Sequence, residues 1–195
     1  MGGLTSVLAP IAFVNETALR LGRAVGVVAI AFMVIAILIQ VFFRYVLGNA
    51  LPWPDEAARF CMLWMTGLMA PTAFRRGGFV AIDMLVRFLP RVPGQLLNLF
   101  LLLLSLTVLV VAVRIGWSEV TGFGGRFATA ALYLPTSLGF DEWYRIPRSW
   151  MMASLLVGVI LLLSVNIELI LRSIITMLGG GNLLPEIPEA AVGAE

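Results

Sequence analysis

Four apolar stretches of bilayer-crossing length, each closed off by charge, proline or glycine, constrain this chain more than any other feature. Hydrocarbon offers a polypeptide no hydrogen-bond partners, so only complete helices or closed barrels cross it. About 20 residues rise about 30 Å as an α-helix, the thickness of a bilayer core. The pattern predicts spans over 24–43, 54–74, 95–113 and 150–171. The first two face each other across Arg44–Glu56. There Gly48 and Asn49 suit positive-φ turn positions, and Pro52 and Pro54 stop the first helix. Asp55 and Glu56 favour the N-terminal end of the second helix dipole, with Trp53 beside them. Asp55 and Arg59 stand at i,i+4, a spacing that predicts an ion pair at the interface.

The expected class is an all-α integral membrane protein. With 61% hydrophobic and 12% charged residues, the chain carries about half the charge of a soluble domain. All 13 basic residues are arginine, dispersed at segment ends rather than in a stripe, which excludes nucleic acid as a partner. The absence of histidine excludes histidine-based catalysis and His-ligated metal sites. A lone Cys61 excludes an internal disulfide. Neither Gly22–Gly26 nor Gly122–Gly125 has the flanking elements or lysine of a phosphate-binding loop. No catalytic residue, cofactor or metal site is expected.

Between and around the spans the reading is coarser. Residues 1–23 form an N-terminal segment in which Ile11–Arg23 is amphipathic, with Glu16 and Arg20 able to pair at i,i+4. It is either an interfacial helix or the frayed start of the first span. Pro71 should free the carbonyl of Gly67 and bend or end the second helix. Arg75–Arg91 is a short basic connection carrying Arg75, Arg76, Arg87 and Arg91 against Asp83. Phe79–Leu89 within it is a second interfacial helix or the lower part of span three, and Pro90 and Pro93 favour separation. The long connection 114–148 is rich in Trp and Tyr, as a loop resting among headgroups would be. Residues 24–172 make the membrane domain, and 173–195 are expected to be a disordered tail.

Arginine counts set the topology. Seven lie on the side of the termini and six on the other, but the connection between spans two and three is the densest, and long loops count less. Both termini are expected in the cytoplasm. Glu168 is the one acidic group near a span's interior, with Arg172 one turn beyond at i+4. A structural ion pair or partner contact is favoured there over a proton relay. Four plain helices without repeats or a mid-membrane acid do not make a self-sufficient transporter. The alternatives are an autonomous small transporter and a membrane enzyme or scaffold acting on lipids.

The central stretch resembles the small permease subunit of tripartite ATP-independent periplasmic (TRAP) transporters, the DctQ-like family. The resemblance lies in Phe43–Leu47, Leu51–Arg59, Trp64 with Gly67, Arg75–Gly77 and Val80–Leu85, and continues through Pro135 and Trp143–Pro147. It covers roughly residues 20–175. It departs at Phe79, where histidine is common, and in a longer, more glycine-rich connection before the last span. The resemblance implies four transmembrane helices in a bacterial inner membrane, surrounded by membrane lipid. It also implies a large permease subunit that carries the substrate and Na⁺ sites, and a periplasmic solute-binding protein that delivers an organic acid anion. By the same resemblance Trp53, Asp55, Glu56 and Arg59 would anchor the periplasmic end of the second helix, and Arg44 is a further structural candidate beside them. Arg75, Arg76 and Asp83 would set that helix's cytoplasmic end, and none of these would touch substrate.

Overall fold

The computed structural model describes residues 2–77, 90–135, 143–180 and 184. Asp83, the Phe79–Leu89 segment and most of the expected tail lie outside the described residues. Four long helices dominate: α1 (Gly2–Tyr45), α2 (Trp53–Arg75), α3 (Arg91–Thr121) and α4 (Ser149–Met177). A 3-10 turn (Phe123–Arg126) and two short strands, β1 (Ala128–Pro135) and β2 (Trp143–Pro147), join α3 to α4. Among the described residues the fold is all-helical apart from that strand pair. Three helices among the described residues, α1, α3 and α4, are long and apolar enough to cross a membrane.

Helix boundaries follow local chemistry. Gly48 takes φ +64° in the turn after α1, a conformation that costs a Cβ-free residue nothing. Pro52 precedes α2 and Pro54 occupies its first turn, where a missing N–H is harmless. The amphipathic N-terminal segment and the first span are one unbroken helix, through Pro10 and past Arg23. Pro71 does not end α2, which continues for one more turn to Arg75. The last helix likewise runs past Arg172 to Met177.

Helix α4 packs against both α2 and α3, and α2 packs against α1, so α1 and α3 lie on the flanks. Large apolar side chains cover those flanks, among them Val28, Phe32 and Leu38 on α1, and Phe100, Val108 and Val111 on α3. A soluble protein cannot leave patches of that size in water; lipid tolerates them. At the α2–α4 crossing the two backbones touch. A Cβ on Gly158 would stand 2.7 Å from the Gly67 carbonyl oxygen, and one on Gly67 would collide with the Ser154 carbonyl. Such small-residue contacts are how membrane helices gain dispersion energy where burial from water gives none.

The hairpin corrects the expectation of a plain loop. Its strands are antiparallel, with Tyr133 opposite Arg145 and Leu134 opposite Tyr144, and an irregularity between Ala128 and Tyr133. A bulge takes backbone groups out of the ladder, and they must find other partners.

Candidate functional site

Polar side chains converge at the end of the bundle formed by the N-terminal part of α1, the C-terminus of α2 and the C-terminal part of α4. At their centre is Glu168, 0% exposed, about 28 Å along α4 by helical rise. Arg75, the last residue of α2, turns inward and is 6% exposed. Its Nε donates to Glu168 Oε2 at 3.1 Å and its Nη2 to Oε1 at 2.9 Å. Arg172 approaches from one turn further along α4, its Nε donating to Oε1 at 3.0 Å. Asn15 of α1 completes the shell, its Nδ2 donating to Oε2 at 2.8 Å. In turn Ser164 Oγ donates to Asn15 Oδ1 at 2.6 Å, which fixes the amide's orientation. Arg75 also reaches α1 through Nη1 to Glu16 and through Nη2 to the Ala12 carbonyl at 3.4 Å.

One carboxylate therefore ties three helices together. An ion brought out of water costs several kcal/mol, offset only when its lone pairs and a counter-charge are both supplied. Here two guanidinium groups and an amide supply them. With both oxygens of Glu168 engaged, the arrangement is suited to holding helices in register. No group of three or more His, Cys, Asp or Glu side chains that could hold a metal ion is assembled among the described residues.

The opposite end carries a second, smaller junction. Glu56, in the first turn of α2, accepts the backbone N–H of Ala130 at 2.8 Å and that of Ala131. These are the amides released by the bulge in β1. Arg145 Nη2 donates to the Ala130 carbonyl at 2.8 Å, and Thr129 Oγ1 to the Ile146 carbonyl at 2.7 Å. Glu56 thus latches the hairpin to the α1–α2 turn region.

Of the residues singled out in the sequence, Arg75, Glu168 and Arg172 come together in the network. Glu56 meets the hairpin. Arg44 is exposed, its guanidinium 5.8 Å from the Tyr45 ring centroid. Trp53 opens α2 exposed, and Arg76 is exposed just beyond its C-terminal end. Asp83 lies outside the described residues. Two expected ion pairs are replaced. Asp55 meets Gln40 Nε2 of α1 at 3.4 Å rather than Arg59, because both charges are exposed and an i,i+4 pair on a wet surface is worth only about 0.2–0.5 kcal/mol. Glu16 pairs with Arg75, and with Arg23 at 3.8 Å, rather than with Arg20. Asn15 was not among the residues singled out, and Ser164 figured only as a neutral polar residue of the last span. The one hint was a polar pair set into otherwise apolar helix faces.

A family model described as "Tripartite ATP-independent periplasmic transporters, DctQ component" matches residues 33–176. No curated protein and no solved structure matches the chain. The match takes in α2, α3, the hairpin, nearly all of α4 and only the C-terminal part of α1 from residue 33 on, and it makes the chain a transporter component rather than an enzyme. Three helices fit to cross a bilayer and a family match over most of the length lead to one conclusion: the chain belongs to the DctQ family of TRAP transporter subunits.

Proposed function

We propose that this chain is the fixed membrane scaffold of a Na⁺-driven TRAP importer for an organic acid anion. On this reading it supports a large permease subunit, which binds substrate delivered by a periplasmic solute-binding protein, and binds no substrate itself. The observation that carries the reading is the Glu168 network. The charged groups that converge inside the bundle neutralise each other and lock α1, α2 and α4 into one body. A moving transport element needs a partner that does not move, and a buried multi-helix ion clamp resists sliding.

All four helices span in this proposal. Helix α2 has 23 residues, about 35 Å of rise, and its charged residues Asp55, Glu56, Arg59 and Arg75 stand near its two ends. Both termini then lie on the side of Arg20, Arg23, Arg75, Arg76 and Arg172, the cytoplasmic side of a bacterial inner membrane by the positive-inside rule. The hairpin faces the periplasm. Its exposed Trp143, Tyr144 and Tyr133, with Trp117 and Phe127 nearby, suit the headgroup layer on that side. The apolar flanks of α1 and α3 offer a surface to the large subunit as well as to lipid.

The test is co-expression with the large membrane subunit encoded beside it. A tag on this chain should retain the large subunit through detergent extraction and gel filtration. Recovery of this chain alone, folded and monodisperse, while the large subunit elutes separately, would overturn the scaffold reading.

A further inference from the structure

A groove of about 600 Å³ opens beside the ion network, between the end of α2, the first half of α3 and the end of α4. Its lining changes character with depth. At the mouth stand Arg75, Arg172, Gln95 and Asn98. Further in, Leu101 and Ser105 lead to Val108. From Gln95 to Val108 the groove follows α3 for about 20 Å. A polar, basic mouth at the level of the helix ends and an apolar shaft running toward mid-bilayer have the shape of a membrane amphiphile. Its two parts also lie at the depths where a headgroup and an acyl chain lie.

The charge around the mouth favours an anion. Arg75 and Arg172 line it while bonded to Glu168, and Glu16 on α1 balances the second guanidinium. Arg76, exposed next to Gly77 on the groove's rim, supplies the surplus positive charge among the described residues. The arginines keep their bonds to Glu168; the surplus potential attracts the headgroup, as in basic pockets between membrane helices. Asn98 and Gln95 can donate to phosphate oxygens.

We propose that this groove binds one anionic phospholipid, its phosphate at the Gln95–Asn98 mouth and one acyl chain along Leu101–Val108. The proposal needs the membrane placement of this end of the bundle, not the partner subunit. It therefore stands or falls separately from the scaffold reading.

The test uses the full-length chain in nanodiscs of phosphatidylcholine alone or mixed with phosphatidylglycerol, read by native mass spectrometry and thermal unfolding. We expect one phosphatidylglycerol retained per chain, preferred about tenfold over phosphatidylcholine, with a higher melting temperature in the mixed lipid. Soluble glycerol phosphate should produce no shift, since it lacks the chain that fills the shaft. Ser105→Phe, which blocks the shaft, should abolish retention while leaving stability in phosphatidylcholine unchanged. Asn98→Glu should remove the headgroup preference. Equal retention of the two lipids by the wild type would overturn the proposal, whatever the variants do. Undiminished retention by a folded Ser105→Phe chain would also overturn it, and stabilisation by glycerol phosphate alone would reduce the site to a phosphate site.

Discussion

Replacing Arg75 by alanine tests the ion network where it is most concentrated. The guanidinium makes two short bonds to Glu168, one to Glu16 and one to the Ala12 carbonyl, linking α2 to both α4 and α1. Breaking one partner of a buried pair costs about 3–5 kcal/mol when the remaining charge is left uncompensated. Glu168 would still hold Arg172 and Asn15, so the loss falls at the lower end, about 3 kcal/mol. At about 2–4 °C per kcal/mol for a chain of this size, the melting temperature should fall by about 6–12 °C. Cys61, the lone thiol and partly buried in α2, is a built-in reporter: a thiol-reactive dye in detergent reads its exposure on heating. Glu168→Gln should cost a similar amount. The double variant should cost clearly less than the sum, because the two substitutions remove the same interaction. A melting temperature within about 2 °C of wild type for Arg75→Ala, or strict additivity in the double variant, would refute the clamp.

Other substitutions separate the network from its surroundings. Asn15→Ala removes the amide that bridges Glu168 and Ser164, and should lower stability by about 1–2 kcal/mol in the same assay. Arg59→Ala should change the melting temperature by less than about 1 °C, since the side chain is exposed and Asp55 turns to Gln40 instead. Gly158→Leu should abolish folded yield, because any side chain there meets the Gly67 backbone; fluorescence-detected gel filtration would show aggregation. Glu56→Ala should release the hairpin without unfolding the bundle, raising hydrogen exchange at Ala130 and Ala131 about tenfold while the helix amides stay protected.

Local features were legible in the sequence, and long-range ones were not. The length and spacing of the apolar runs, with prolines and Gly48 between them, foretell helices α1 to α4 because those signals act within a few residues of where they stand. The i,i+4 spacing of Glu168 and Arg172 is of the same kind. The partners from α1 and α2 are different: Asn15 and Arg75 lie 153 and 93 residues from Glu168 in the chain, and no local spacing encodes that meeting. The two displaced ion pairs show the same thing energetically. A surface i,i+4 contact gains a few tenths of a kcal/mol, so Glu16 gives up Arg20 for the more buried Arg75. Pro71 looked like a terminator, but α2 continues past it for one turn, packed closely enough on α4 at Gly67 to outweigh one missing hydrogen bond. In β1 the bulge breaks the period-two alternation by which a strand is recognised, and its freed amides are held by Glu56, a residue from another element.

Uptake in proteoliposomes tests the scaffold role most directly. Vesicles should be loaded with this chain alone, the large subunit alone, or both, each with the periplasmic binding protein and an inward Na⁺ gradient. If this chain is the fixed half of the transporter, labelled organic acid accumulates only when both subunits are present. Accumulation with this chain alone would contradict that role, and so would full activity of the large subunit without it.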